Sequence, residues 1–371
     1  MKNRLTKLLA LAVFTSVLAA CMDYGERPVE RLSADDSPGL FITNEGNFMY
    51  GTATLSYYDI GKKQVENNVF IRANGIKLGD VAQSMVVRDG LGYVVVNNSS
   101  VIFVIDLKTF KIVNMLKGLI SPRYIHFVND EKAYVTDLYA FAITVFNPKT
   151  MEIVKRIRTD IPGKTTPSTE QMVQYKNFVF TNCWSYDNKI LIIDTETDTA
   201  VDYIEVGKQP TSLVIDKHDK LWTITDGGYA GSPYGQEAPG LYRVDAETRR
   251  VEKVFKFEMG DRGSEICMNE ARDSIFFIRS RQETVNGKTE SRDHIWKMSV
   301  EADDLPDEPF LTNTSTNHWY GLTVDPHTSE VYVADAIDYV QPGVIYRYSA
   351  KGELLDKFQV GVIPGAFCFN Y

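Results

Sequence analysis

The sequence contains few of the residues that form disulfides, bind metals or carry out nucleophilic chemistry. Its 371 residues include 4 Cys and 5 His, which excludes a disulfide-stapled scaffold. No short spacing of His, Cys or carboxylates predicts a metal centre. A G-x-S-x-G elbow, a P-loop and a dinucleotide fingerprint are also missing. We therefore predict no catalytic residue, no metal and no resident cofactor.

Positive charge and long apolar runs are also scarce. The chain carries 40 Lys and Arg against 49 Asp and Glu, a net charge of −9. This balance argues against a nucleic-acid or anionic-membrane partner, because both attract clustered Lys and Arg. After the first twenty residues, no apolar stretch is long enough to span a bilayer. A hydrophobic share of 44% with 24% charged residues is typical of a folded globular protein.

The N-terminus has the pattern of a bacterial lipoprotein signal. Basic residues precede an apolar run at 8–20, and Leu-Ala-Ala-Cys at 18–21 matches a lipobox. We predict a signal peptide over 1–20, lipidation of Cys21 and a flexible tether over 21–38. The alternative is an ordinary signal peptide with an incidental cysteine. Acyl chains would supply the membrane contact, so no amphipathic helix is needed.

One strand pattern returns along the chain from residue 39 to residue 371. Its second strands end in Asn or Asp and stand at 92–97, 133–137, 177–182, 221–226 and 331–335. Four strands per unit at this spacing predict an all-β, seven-bladed β-propeller with four-stranded antiparallel blades. The N- and C-terminal strands are predicted to close one blade. The alternative of two β-sandwiches does not explain a single period through the whole chain.

Two further features of the repeat predict local structure. The mid-strand aromatic residues Tyr93, Tyr134, Trp222 and Tyr332 are predicted to pack in the core. Third strands run into Asp-x-x-Thr or Asn-x-x-Thr turns, in which the Asp or Asn side chain bonds forward to the backbone.

The two ends of the predicted channel differ in composition. Loops between second and third strands share one face with the connections between blades. They are rich in aromatic residues and include long loops at 227–240 and 281–293. Such loops are typical of a recognition surface. We expect Trp184, Tyr229, Trp319 and Tyr320 to pack on a ligand and Asn182, Asn317 and Arg281 to bond its rim, with Arg123, Tyr139 and Tyr339 as further candidates.

Each of these candidates has a structural alternative. An aromatic side chain can pack beneath the loops, and Arg123 can hold the neighbouring blade through a backbone carbonyl. Cys183, Cys267 and Cys368 leave an odd count that argues against a stapled framework.

The repeat resembles that of a known family. The strings AYVTD at 133–137 and VYVAD at 331–335, with Pro122 or Pro210 opening a blade, are similar to the YVTN repeat of YncE-like propellers. The opening LFITNEGN at 40–47 and ATLSYYD at 53–59 resembles surface lipoproteins of Bacteroidota, including the cobalamin-binding BtuG type. This resemblance implies a monomeric propeller on the outer membrane, displayed at the cell surface. It further implies a corrinoid ligand on the loop face and hand-over to a TonB-dependent transporter.

Three function classes follow. The first is a binding protein without catalysis, whose aromatic and amide side chains suit the apolar faces and neutral amides of cobalamin. The second is a propeller lyase or lactonase with His318 or His126 as base, which requires either His beside a carboxylate or a metal. The third is a surface scaffold or adhesin that binds glycan or protein.

Overall fold

The computed structural model describes residues 32–34, 38–160, 168–285, 287–315 and 317–371. In these ranges the chain forms 27 β-strands in seven antiparallel sheets and one short α-helix. Nothing helical in these ranges has the length and hydrophobicity needed to cross a membrane. The predicted signal peptide, Cys21 and most of the tether lie outside the described residues, and they remain predictions.

The strands of the first four blades follow in chain order. Blade 1 contains β1 (Gly39–Asn44), β2 (Thr54–Asp59) and β3 (Gln64–Glu66), followed by helix α1 (Val69–Asn74). Blade 2 contains β4 (Ala82–Arg88), β5 (Leu91–Val96), β6 (Val101–Asp106) and β7 (Ile112–Leu116). Blade 3 contains β8 (Pro122–Phe127), β9 (Ala133–Asp137), β10 (Ala142–Asn147) and β11 (Glu152–Arg158). Blade 4 contains β12 (Met172–Tyr175), β13 (Phe178–Cys183), β14 (Lys189–Asp194) and β15 (Thr199–Glu205).

The remaining strands complete the ring. Blade 5 contains β16 (Pro210–Ile215), β17 (Lys220–Thr225), β18 (Gly240–Asp245) and β19 (Arg250–Lys256). Blade 6 contains β20 (Arg262–Met268), β21 (Ser274–Val285) and β22 (Lys288–Ser299). Blade 7 contains β23 (Trp319–Val324), β24 (Val331–Asp335), β25 (Pro342–Tyr348) and β26 (Leu354–Val362). The last strand, β27 (Pro364–Asn370), returns to blade 1.

The innermost strands touch one another in a closed circle. β27 contacts β4, and the contacts continue through β8, β12, β16, β20 and β23 back to β27. The fold is therefore the predicted β-propeller, with a central channel walled by seven inner strands.

The C-terminal strand closes the ring as predicted. β27 pairs antiparallel with β1 from Gly39↔Asn370 to Asn44↔Pro364 and becomes the inner strand of blade 1. Without it, the backbone groups of β1 would form an open sheet edge, which is a template for aggregation.

Blade 6 departs from the regular pattern. Its sheet has three strands, and a single bridge between Ile295 and Leu311 stands where the fourth strand would lie. β21 and β22 are 12 residues each, twice the length of most other second and third strands. The extra length extends the hairpin beyond the loop face.

The predicted core aromatics are confirmed. Tyr93, Tyr134, Trp222 and Tyr332 are all buried. Trp222 packs with Phe277 and Trp296 between blades 5 and 6, and its Nε1 donates to Asp216 Oδ2 at 2.7 Å. Burying a large apolar side chain contributes roughly 1.5–3 kcal/mol, so each inter-blade cluster is a major source of stability.

The turns after third strands have the predicted chemistry. The Thr amide donates to the Asp or Asn Oδ1 at 2.6–3.3 Å, in the pairs Asp106–Thr109, Asn147–Thr150, Asp194–Thr197 and Asp245–Thr248. The residue after each Thr takes a left-handed φ of 51–60°. These turns lie on the face opposite the long loops.

Candidate ligand-binding site

A cavity of about 950 Å³ opens at the loop-face end of the central channel. Its floor is formed by inner strands, and its wall by the loops of blades 4 to 7 and the long hairpin of blade 6. This volume lies at the upper end of the range for small-molecule sites, about 300–1,000 Å³. The aromatic and polar residues described below line this cavity.

The floor is built by β-bulges in the inner strands. Residues there are skipped in the pairing with the second strand, so two residues oppose one. A bulge of this kind re-aims a side chain out of the ladder. The skipped residues all line the cavity, and they are Gln83, Arg123, Tyr124, Thr211, Glu265, Tyr320 and Gly365.

An ion pair lies at the centre of the floor. Arg123 Nε donates to Glu170 Oε2 at 2.7 Å, and its Nη1 bonds Gln83 Oε1. Glu170 is 3% exposed. Desolvation is the largest influence on the Glu170 pKa and raises it, whereas Arg123 acts in the opposite direction. Arg123 therefore joins three blades, since Gln83, Arg123 and Glu170 belong to blades 2, 3 and 4.

Two further carboxyl groups face the same space. Tyr320 donates its hydroxyl to Glu45 Oε1 at 3.1 Å. Desolvation raises the pKa of Glu45 to about 7, with Arg123 acting against it. Desolvation, together with the charges of Glu45 and Glu170, raises the pKa of Glu265 to about 8. Three carboxyl groups thus lie close to one arginine, and burial raises the pKa of all three.

The upper wall is aromatic. Trp184, Tyr229, Trp319 and Tyr339 line it. The His318 ring stacks on Tyr339 with a centroid distance of 5.0 Å, and Tyr320 meets Tyr339 edge-on at 5.8 Å. These rings offer apolar area with polar tips, which is the composition of a recognition surface.

Neighbouring loops hold this wall in place. Asn47 Nδ2 from blade 1 donates to the Tyr339 carbonyl of blade 7 at 2.7 Å. Trp319 is 7% exposed and packs with the core between blades 6 and 7.

The structure brings six of the ten predicted site residues together. The cavity lining contains Trp184, Tyr229, Trp319, Tyr320, Arg123 and Tyr339. The Arg123 side chain does hold the neighbouring blades, but it bonds the side chains of Glu170 and Gln83 and not a backbone carbonyl. The carbonyl of Arg123 itself accepts a hydrogen bond from Ser84 Oγ of blade 2 at 2.6 Å. The other four do not line the cavity, and they are Asn182, Asn317, Arg281 and Tyr139.

These four residues lie outside the cavity. Asn182 is fully buried and its Nδ2 donates to the Pro210 carbonyl of the next blade at 2.7 Å. Asn317 Nδ2 donates to Asp335 Oδ2 at 3.0 Å. Arg281 alternates with Ser280 and Gln282 along β21, so its guanidinium lies on the other side, 5.7 Å from the Trp296 ring centroid. Tyr139 is 64% exposed.

The two histidines of the enzymatic alternative differ in their surroundings. His318 lines the cavity, and its Nδ1 lies 3.5 Å from Asp293 Oδ2. His126 Nε2 bonds Gln174 Oε1 at 2.8 Å, and burial lowers its pKa. Only His318 therefore meets the carboxylate condition set by the sequence analysis. The described residues contain no group of three or more His, Cys, Asp or Glu side chains placed to hold a metal ion.

Sequence reasoning missed the carboxyl groups of the floor. Glu45, Glu170 and Glu265 were not among the candidates, and neither were Gln83 and Asp293. A signal was present, because Glu265 is a charged residue within the inner strand Arg262–Met268, and the inner strand of blade 3 carries the adjacent pair Arg123 and Tyr124. Alignment of the seven blades on their inner strands would have superimposed these positions.

Comparison with known proteins identifies the family. The family described as "Domain of unknown function (DUF5074)" matches residues 38–370. The chain belongs to the DUF5074 family. The matched range covers the whole propeller, so the blades and the cavity together are the DUF5074 domain.

One curated protein shares a short region of similarity with this DUF5074 protein. It is 26% identical over 110 residues to Antigen Lp49 of Leptospira interrogans, and the match covers 26% of this chain and 23% of that protein. The chain therefore spans about a quarter of the length of this curated relative.

Solved structures share the fold at low identity. A quinonprotein alcohol dehydrogenase-like protein from Bacteroides thetaiotaomicron has a TM-score of 0.64 at 18% identity, covering 90% of this chain and 78% of that one. A 6-phosphogluconolactonase-like protein from Bacteroides fragilis has a TM-score of 0.63 at 12% identity, covering 92% and 100%. Hydrazine synthase of Kuenenia stuttgartiensis has a TM-score of 0.59 at 14% identity, and the match covers 77% of this chain and 89% of that one. At these identities the likeness concerns the propeller fold alone.

Proposed function

We propose that this DUF5074 propeller is a surface binding protein that captures a small, largely uncharged organic ligand in its loop-face cavity. The ligand that we favour is cobalamin or a related corrinoid. The observation that carries the proposal is the cavity of about 950 Å³ with aromatic walls and a polar floor.

The lining suits a corrinoid chemically. Such a ligand has broad apolar faces fringed with neutral amides. Trp184, Tyr229 and Tyr339 supply aromatic area, and Gln282 and Ser291 of the hairpin supply neutral polar groups. The polar groups lie on the strands of the blade 6 hairpin, and all of these groups are held by a rigid ring. Binding would therefore lose little conformational entropy, which favours high affinity.

The cellular context of the proposal comes from the sequence. A lipid anchor at Cys21 would place the propeller on the outer membrane, displayed outward. The captured ligand would then pass to a TonB-dependent transporter. The resemblance of residues 40–47 and 53–59 to Bacteroidota surface lipoproteins supports this arrangement.

Calorimetric titration of the purified protein with cyanocobalamin tests the proposal. We expect one site per chain, and a loss of affinity of at least about tenfold in Tyr229→Ala, since buried aromatic contacts dominate such sites. Tyr139→Ala is the matched control, because Tyr139 is also an exposed loop-face tyrosine but does not line the cavity. Absence of heat with cyanocobalamin, or equal losses in both variants, would contradict the proposal.

A second candidate function is enzymatic. It is favoured by the contact between His318 and Asp293 at the cavity mouth. A carboxylate beside Nδ1 orients an imidazole for action as a general base, as in a lyase or lactonase. Turnover of a lactone panel that is lost in His318→Ala, in a protein that does not bind corrinoids, would favour this function.

A scaffold or adhesin is the remaining alternative. Tyr186 and Tyr234 stack at 4.6 Å on the rim of the loop face, and both are more than half exposed. Aromatic platforms of this kind also suit sugars. Binding on a glycan array with no corrinoid binding would therefore favour that alternative.

A further inference from the structure

Glu265 differs from the other polar bulge residues of the floor in having no partner. Arg123 bonds Glu170 and Gln83, and Tyr320 bonds Glu45. Within the described residues, no hydrogen bond or ion pair engages the Glu265 carboxyl, although it lines the cavity. The Glu265 side chain is only partly buried and opens into the cavity. A ligand in the cavity can therefore reach this carboxyl and supply the missing hydrogen-bond partner.

The backbone of Glu265 has a strained conformation. Its φ is +37°, which is rarely adopted by a residue with a side chain. The residue stands in the bulge between Ser264 and Ile266, opposite Phe277 and Ile278 of β21. Strain of this kind persists only where the surrounding structure imposes it, and it clusters at ligand sites.

We propose that Glu265 and Glu45 form a hydrogen-bond-donating subsite on the cavity floor, which recognises uncharged acceptor groups of the ligand such as amide carbonyls. This inference rests on the proposed function and specifies the ligand chemistry of the same cavity. It assigns the floor to polar groups of the ligand and the aromatic wall to its apolar face.

Protonation of the two carboxyl groups supports this role. With pKa values of about 7 and about 8, both carboxyl groups are largely protonated in mildly acidic solution, and they lose their protons from around neutral pH upward. A protonated carboxyl donates a hydrogen bond, whereas an ionised one only accepts. The groups that face Glu265 are Glu45, Glu170, Arg123, Tyr124, Tyr320 and Cys267. The single positive charge among them is already paired with Glu170.

The test with ligand is a titration with cyanocobalamin across pH. We expect the affinity of the wild-type protein to fall by roughly tenfold from about pH 6 to about pH 9, as the donors lose their protons. Glu265→Gln keeps an amide donor at the same place, so it should bind at neutral pH within about threefold of wild type and show a flatter profile. The control is Glu270→Gln, at an exposed turn on the opposite face, which should follow the wild-type profile.

A second measurement needs no ligand. The folded Glu265 keeps its proton up to about pH 8, whereas the unfolded residue loses it near its ordinary pKa of about 4.3. Stability is therefore greatest below the unfolded pKa and falls as pH rises through the folded one. We therefore compare the melting temperature of Glu265→Gln with that of wild type at each pH. The difference, variant minus wild type, should increase from about pH 5 to about pH 9, because only the wild-type protein loses the stabilising proton.

The outcomes separate this inference from the proposed function. Cyanocobalamin that fails to bind at any pH contradicts the proposed function, while the melting curves still decide whether Glu265 holds its proton. Binding that is independent of pH, or that strengthens as pH rises, overturns the donor subsite but leaves the binding function in place. A melting difference that stays constant across pH also overturns it.

Discussion

At the scale of single residues, two Asn side chains at the ends of second strands join neighbouring blades. Asn97 Nδ2 donates to the Pro122 carbonyl at 3.0 Å, and Asn182 Nδ2 donates to the Pro210 carbonyl at 2.7 Å. Each bond ties one blade to the inner strand of the next. In these two blades, the Asn at the end of the second strand therefore joins its blade to the next one.

Replacement of Asn182 should affect stability and leave ligand binding unchanged. Asn182→Ala leaves the buried Pro210 carbonyl without its donor, which costs about 1–3 kcal/mol in the free energy of unfolding. Urea denaturation measures this loss. Asn114→Ala is the control, because Asn114 is exposed on the outer strand β7, and it should change the free energy by less than about 0.5 kcal/mol. If Asn182→Ala folds but binds cyanocobalamin more weakly than wild type, the prediction is wrong and Asn182 contributes to ligand binding.

At the scale of elements, the blade 6 hairpin divides into a wall and a tip. Ser280 pairs with Asp293 and Gln282 pairs with Ser291, and these four side chains line the cavity. Beyond the Glu283↔Glu290 pair, no described residue of the hairpin contributes to the lining. The base of the hairpin thus belongs to the site, and the tip does not.

A shortened hairpin should keep both fold and binding. Replacing residues 284–289 with Asn-Gly closes the hairpin at the Glu283↔Glu290 pair with a two-residue turn, which preserves the register. It also preserves the bond of 2.9 Å between Glu283 Oε1 and the buried His294. We expect an affinity for cyanocobalamin within about twofold of wild type in calorimetry. A much larger loss would show that the tip contacts the ligand.

At the scale of the whole molecule, stability and site both depend on closure of the ring. β27 supplies the inner strand of blade 1, and its residues Gly365, Ala366 and Phe367 line the cavity. The same strand contacts β23 on one side and β4 on the other. One C-terminal strand therefore joins the first and last blades and completes the channel wall.

Removal of the C-terminal strand should abolish cooperative folding. Deleting residues 363–371 exposes the edge of β1 and opens the ring, so we expect aggregation in size-exclusion chromatography and a lost thermal transition. A synthetic peptide of residues 363–371, added during refolding, should restore monomeric protein, because it can pair with β1 in the native register. A truncated chain that melts like wild type would contradict a structural role for closure.

Local sequence patterns accounted for the blades but not for the floor of the cavity. The recurring mid-strand position of each blade predicted that Tyr93, Trp222 and Tyr332 are buried, and side-chain bonding in Asp-x-x-Thr predicted the turns. Both depend on residues a few positions apart, which is why they could be read along the chain. The aromatic wall was predicted in part for the same reason, since loop composition shows which end of the disc is enriched.

The sequence by itself determined the repeat, the all-β fold, the pairing of its two ends and the difference between the two faces. Only the tertiary structure decided which side chains meet in the channel. Glu45, Glu170 and Glu265 lie on blades 1, 4 and 6, and bulges and ring closure bring them to one desolvated floor. Desolvation raises all three pKa values, and repulsion by neighbouring carboxylates adds to this at Glu45 and Glu265. Both effects are properties of a shared space and not of a position in the chain.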